Sequence, residues 1–329
     1  MPPPKLVASY PVDGDRAVHP ERPLRLVFDQ ALSPESIANS LVVSPTMSGE
    51  VSLADDHSIL FQSTSGWRPS ETYAVVLGDA LTNINGVPIA EPVSLSFEVG
   101  ERGVPIPILM YHHIRNLPDD VTEGQRTWSV SPESFRLQMT WLEAQGCHTV
   151  SPDQLASYLA DGSPLPARPI IVSIDDGYAD IYDHVLWMTQ ETSLLPLLFV
   201  VPTYADFPAY LNWSQLKELA QAGCMIGGHG MDHANLRQTA DDALDDQIGG
   251  VRSTLEKALG VTVNSFCYPF GSYDDRVLNK LANSGYRTGY TLNPTYYQQP
   301  YAPYQIGRTC ISYDLTLDDF AALLPYGDP

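Results

Sequence analysis

An α/β fold, with a parallel sheet closed or nearly closed as a barrel behind a small all-β domain, is the architecture this sequence predicts. Three observations carry it. From about residue 106 onward, short apolar runs alternate with helix-like stretches, the pattern of parallel strands wrapped by helices. Residues 4–99 instead hold short alternating runs separated by Pro, Gly, Asn and Asp turns, as in a β-sandwich. The length of 329 residues exceeds one ordinary domain and suits two.

In the first segment, Leu24–Phe28, Ser58–Phe61, Tyr73–Leu77 and Val93–Phe97 alternate apolar and polar side chains, and Asn83-Ile-Asn-Gly86 supplies turn chemistry before the last strands. About seven strands fit this spacing. Tyr10-Pro-Val-Asp-Gly14, Val27–Leu32, Trp67-Arg-Pro69 before Glu71-Thr-Tyr73, and a closing Phe97 resemble a bacterial Ig-like domain. These motifs are structural, and no catalytic constellation lies among them. Asp13, Asp15, Asp55 and Asp56 are read as solvated turn residues in preference to a calcium site. Gly100–Pro105 interrupts both patterns and is expected to join domains spanning 1–100 and 101–329.

Beyond it, strands are expected at Ile106–Met110, Ile170–Ile174, Leu197–Val201, Met225–Gly228, Asn264–Tyr268 and Tyr286–Thr291. Helices are expected over 133–145, 153–160, 213–222, 241–259 and 273–284. Ser131-Pro-Glu133, Ser151-Pro-Asp153 and Asn212-Trp-Ser214 are start signals, and Gly223 and Gly260 are stops.

Composition narrows the function classes. Eighteen basic residues against 39 acidic ones leave a formal charge of −21, which disfavours a nucleic-acid partner, because phosphate neutralisation needs clustered Lys and Arg. No apolar run reaches the ~18 residues of a membrane span. The opening Met1-Pro-Pro-Pro-Lys5 lacks the basic and apolar regions of a signal peptide; the protein is either cytoplasmic or exported by a signal since removed. Cys147, Cys224, Cys267 and Cys310 show no C-x-x-C spacing, so a cysteine zinc site is not expected; buried free thiols are the first expectation, with two disulfides the alternative in an oxidising compartment.

Ligand-type residues fall just after the C-terminal ends of the expected strands, where βα-barrels build their active sites. His112 and His113 follow the first strand, Asp175-Asp176-Gly177 the second, His229 with His233 the fourth, and Pro269-Phe-Gly271 the fifth. Successive side chains leave a strand in opposite directions, so Asp175 and Asp176 invite two roles, one carboxylate on a metal and one free as a base. His229 and His233 would share a face on a helical turn. Two histidines with one carboxylate form a common catalytic metal set. Taken alone, each signal reads better as an ordinary turn or a capping pair; their shared position gives them weight.

In order along the chain, Ser173-Ile-Asp-Asp-Gly177, Gly228–Leu236 and Phe266-Cys-Tyr-Pro-Phe-Gly271 resemble the three motifs of the NodB-homology polysaccharide deacetylases, carbohydrate esterase family four. The similarity runs from about Pro107 to Leu324, and Ile108–His113 with Phe135–Gln138 is similar to the poly-N-acetylglucosamine deacetylase branch. The resemblance implies a distorted (β/α)7 barrel and a divalent metal, generally zinc. By position, Asp175 corresponds to the catalytic base, Asp176, His229 and His233 to the metal ligands, and the Phe270 N–H to the oxyanion donor. The implied substrate is an N-acetylated polysaccharide, and the implied setting extracellular, cell-surface or periplasmic.

Three departures stand out. Cys267 occupies the place of the third motif's arginine, the late Leu-x-His motif is missing, and no Asp-x-x-x-Trp motif follows, although Asp274 and Asp275 lie nearby. His112 is the expected substitute for the general acid, ahead of His113, with a buried core histidine as the competing account. Tyrosines 286, 290, 296, 297, 301 and 304 are read mainly as packing residues, with the 293–304 loop a candidate border of a glycan cleft. An O-acetyl polysaccharide esterase and a degenerate glycan-binding barrel remain alternatives, as does an adhesion module centred on the sandwich.

Overall fold

The computed structural model describes residues 2–18, 23–38, 40–64, 67–68, 71–99, 104–161, 163–299 and 302–326. Gly100–Gly103 of the expected linker, Pro69 and Tyr301 lie outside the described residues. The chain forms two compact units, residues 1–104 with 160–164, and 105–159 with 165–329.

The first unit is a sandwich of two four-stranded sheets. One contains Leu6–Tyr10, Leu24–Phe28, Ser58–Ser63 and Gly49–Asp55; the other Asp15–Val18, Val93–Val99, Thr72–Leu77 and Leu41–Ser44. Alternation in Val93–Val99 buries Leu95, Phe97 and Val99 on one face. Trp67 sits in the core, edge-on to Phe97 at 5.0 Å and Tyr73 at 4.9 Å. The Asn83 carboxamide oxygen accepts the N–H groups of Asn85 and Val87, and Gly86 takes φ +77°. Asp13, Asp15 and Asp55 likewise accept backbone N–H groups, from Ser96, Val12 and His57, which satisfies them as turn residues.

Among the described residues the second unit is built on an eight-stranded parallel sheet, seven strands of which run in the order Thr288–Tyr290, Ser265–Cys267, Met225–Gly228, Leu197–Val200, Pro169–Ile174, Ile108–Tyr111 and Thr309–Cys310, while His148–Thr149 pairs with Pro169–Ile174 off this path. Closure comes through the 306–310 segment, where Ile306 bridges Tyr290 and Thr309–Cys310 pairs with Leu109–Met110. This is the distorted (β/α)7 barrel that the sequence implied. Its seventh strand was not expected from sequence, because two residues carry no periodicity. The strand Pro169–Ile174 is buried from Ile170 onward, as a two-sided parallel strand must be.

Helices Pro132–Ala144, Pro152–Asp161, Trp213–Gln221 and Asp275–Asn283 fall within a residue or two of their expected bounds. Ser131 caps the first through Ser134 N–H, and Asn212 forms a reciprocal capping box with Gln215. Asp274 caps the last through the Arg276 and Val277 N–H groups, so its carboxylate has a structural task. The helix expected over 241–259 runs unbroken between those bounds, as α-helix Asp241–Asp245, a π-helical turn Asp246–Gly250, and α-helix Val251–Leu259 ended by left-handed Gly260. All four cysteines are free; Cys147, Cys224 and Cys267 are buried and Cys310 half-buried.

Candidate metal centre and active site

Asp175 follows directly on its strand, and its N–H continues the ladder to the Tyr111 carbonyl at 2.9 Å. The residue is 1% exposed. The next residue breaks the pleat: Asp176 has φ +69° and Gly177 φ +76°. On a continued strand the two carboxylates would face opposite ways. The left-handed turn returns Asp176 to the same cavity, a conformation that costs a non-glycine residue of order 1–2 kcal/mol.

His229 extends its strand by an N–H bond to the Val200 carbonyl at 3.0 Å. Gly227 and Gly228 before it are sterically required. A Cβ at 227 would lie 2.5 Å from the Phe199 ring, and one at 228 would lie 2.7 Å from Val251 Cγ1. The expected helical turn from His229 to His233 does not form. Gly230 at φ +73° and His233 at φ +59° are both left-handed, and the loop folds the second imidazole back beside the first.

The result is a compact donor set. Asp176 Oδ1 lies 3.2 Å from His229 Nε2 and 3.4 Å from His233 Nε2. Donors arranged tetrahedrally around an ion at zinc-like bond lengths are about 3.3 Å apart. His229 Nδ1 is 2.8 Å from the Cys267 carbonyl, which places its proton there and leaves the Nε2 lone pair toward the cavity. Asp176 Oδ1 is buried and has no hydrogen-bond partner in the protein. Burial alone would raise the Asp176 carboxyl; the His229 imidazole outweighs it and holds the group well below the usual range. One anionic oxygen, buried and otherwise unsatisfied, between two imidazole nitrogens fits a divalent cation. Asp175, His229 and Cys267 form a second close group, but Arg308 occupies it.

Arg308 is the residue that the sequence did not reveal. Fully buried, it grips Asp175 with two bonds, Nη1 to Oδ1 at 2.7 Å and Nη2 to Oδ2 at 2.8 Å. Further bonds run to Thr291 O at 3.0 Å, Ser173 Oγ at 3.2 Å and Cys267 Sγ at 3.0 Å. Burial would raise the Asp175 carboxyl, and the guanidinium more than offsets this, so the group is held below its ordinary value. A charge inside the apolar stretch Ile306–Ile311 was the available signal, since a buried arginine needs a partner.

Residues 162–289 match the family model for polysaccharide deacetylases, and residues 1–99 that for a bacterial Ig-like domain. The chain carries a polysaccharide deacetylase domain. A provisionally named polysaccharide deacetylase of Bacillus subtilis is 23% identical over 224 residues, 68% of this chain and 77% of that protein. The poly-β-1,6-N-acetyl-D-glucosamine N-deacetylase of Escherichia coli is 23% identical over 217 residues, covering 53% of this chain but only 32% of its own length. Among solved structures, a Streptococcus pyogenes deacetylase in complex with acetate superposes with TM-score 0.62 at 22% identity, over 69% of this chain and 100% of that one. A Bacillus cereus polysaccharide deacetylase reaches TM-score 0.63 at 17% identity over 98% and 99%. At these identities the superpositions speak for the fold.

Cys267 stands where the third motif's arginine was expected; two residues beyond the Ile306 bridge to Tyr290, Arg308 brings its guanidinium to 3.0 Å from the Cys267 thiol. His112 lies in the same cavity, with Nε2 3.9 Å from Asp175 Oδ2 and its ring 4.5 Å from Trp128. Burial lowers its pKa, only partly opposed by Asp175 and Asp176, so the resting imidazole is neutral. Its Nδ1 is buried without a partner, unlike a core histidine satisfied by a carbonyl. His113 is otherwise engaged: Nδ1 pairs with Asp180 at 2.7 Å, and the ring stacks on Tyr178 at 3.7 Å.

These groups line one cavity of about 550 Å³, together with Trp128, Tyr178, Tyr268, Phe270 and Leu292. Phe270 has φ +59°, is 61% exposed as a residue, and stands edge-on to His233 at 4.5 Å. Of the 293–304 loop, no described residue lines the cavity. The aromatic walls come instead from strand-end residues near the donor set.

Proposed function

We propose that residues 101–329 form a metal-dependent hydrolase that removes acetyl groups from an amino-sugar polysaccharide, with Asp176, His229 and His233 holding a divalent ion, zinc, and Asp175 acting as base. The observation that carries this reading is one carboxylate among two imidazoles, with a second carboxylate held off the donor set by Arg308. The N-deacetylase relatives support the glycan substrate. With the Ig-like domain, that substrate favours an extracellular, cell-surface or periplasmic setting. Among the described residues, no helix is long and apolar enough to cross a membrane.

When bound, the ion supplies a Lewis acid for the acetamide carbonyl and lowers the pKa of a coordinated water. The chain's own residues do the rest. Asp175, kept anionic by Arg308, accepts the attacking water's proton. The Phe270 N–H, on a left-handed residue at φ +59°, is assigned by the family resemblance as donor to the developing oxyanion; such a donor contributes about 3–4 kcal/mol. His112, neighbour to Asp175 Oδ2, receives the proton that Asp175 took from water and delivers it to the departing amine, which returns both groups to their starting states.

The test is acetate release by zinc-loaded full chain from poly-N-acetylglucosamine, chitooligosaccharides, peptidoglycan and acetylxylan. Release from an amino-sugar polymer is expected. Asp175→Asn should abolish it while leaving one ion per chain, and His229→Ala should lose the ion. Release from acetylxylan alone would instead establish an O-acetyl esterase.

A further inference from the structure

The π-helical turn at Asp246–Gly250 has no explanation in the metal site or the general base. A π turn fits one residue more than an α turn, and isolated ones cluster at functional sites. Here it carries a buried polar side chain, Gln247, 8% exposed. Its amide oxygen accepts the Met231 N–H at 3.0 Å, and its amide nitrogen donates to Asp232 Oδ1 at 2.9 Å. The opposite amide orientation would set an acceptor against a carboxylate, so the network fixes it.

Both bonds land between His229 and His233. The Met231 peptide is also held from the far side, where the Thr203 N–H and hydroxyl donate to its carbonyl at 3.2 and 2.7 Å. The loop has no slack: a Cβ on Gly230 would lie 3.1 Å from Pro269 and 3.4 Å from Gln247 Oε1. Its left-handed residues, Gly230 and His233, are the ones that turn the second imidazole toward the first.

We propose that Gln247 is a positioning residue whose side-chain amide, presented by the π turn, clamps the His229–His233 loop and sets the spacing of the two imidazoles, and so the affinity for a divalent cation. The inference rests on the metal-site reading above. A group that orients ligands from behind typically changes metal affinity about 10- to 100-fold when removed.

The test titrates metal-free full chain with zinc against a chromophoric chelator and records the melting temperature of each metal-free protein. Gln247→Leu should weaken zinc binding about 10- to 100-fold. Gln247→Glu should also weaken it, because two carboxylates then meet. Adding Asp232→Asn to Gln247→Glu restores a donor opposite an acceptor and should recover most of the affinity. Thr203→Val loosens the loop from its other side and should weaken binding independently, which covers the case in which the leucine variant does not fold. A merely structural Gln247 would lower the melting temperature and leave zinc affinity unchanged; that result overturns the clamp alone. A parent chain that takes up no zinc overturns the site reading and the clamp together.

Discussion

Replacing Arg308 with methionine should destabilise the barrel strongly and in a pH-dependent way. The substitution keeps most of the side-chain volume but removes both bonds to Asp175, whose side chain is 2% exposed against a guanidinium at 0%. Breaking one partner of a buried pair costs about 3–5 kcal/mol, because the other charge stays buried. That is a large share of the ~5–15 kcal/mol that holds a protein folded. At a urea m-value near 3 kcal/mol/M, the midpoint should fall by roughly 1–2 M.

The pH sign follows from the direction of the Asp175 shift. In the parent its folded pKa is depressed, so its contribution is present above the unfolded value and lost as pH falls through the folded one. Without Arg308, burial alone raises the folded pKa, the folded state gains a proton that the unfolded chain releases, and stability declines as pH rises. The deficit relative to the parent should therefore be larger at pH 7.5 than at pH 4.5. Urea denaturation at both pH values, with chelator present, measures it. A deficit below about 1 kcal/mol, or one equal at both pH values, would refute the account of Arg308 as the counter-charge that keeps Asp175 ionised.

Gly227→Ala should cost about 1–3 kcal/mol through overpacking, since its methyl would meet Phe199 and Ser265 Oγ at 2.8 Å or less; a thermal melt of the folded variant tests this, and an unchanged midpoint would mean that the strand can shift. His112→Gln should lower kcat about 10²- to 10⁴-fold with zinc content and KM little changed; an undiminished kcat would reassign the proton donor.

The fold class and the candidate donor residues were legible in the chain. Buried strands such as Pro169–Ile174 announce themselves by composition, and caps such as Asn212 by local hydrogen-bonding chemistry. Placing Asp175, Asp176, His229 and His233 at strand ends needed only the alternation of strand and helix. Local backbone torsion was harder to read: the His229–His233 segment has helical spacing, yet it turns through left-handed residues because Gln247 and Thr203 hold it from outside.

The sequence by itself determined which residues are chemically equipped for the site and on which strands they sit, because strand periodicity and turn chemistry are local properties. Only the tertiary structure decided that Arg308 serves Asp175. The two lie 133 positions apart, and the strand following Arg308 has two residues, too few to signal itself. Barrel closure brings the guanidinium beside the Cys267 thiol, and a contact made by closure leaves no periodic mark on the chain.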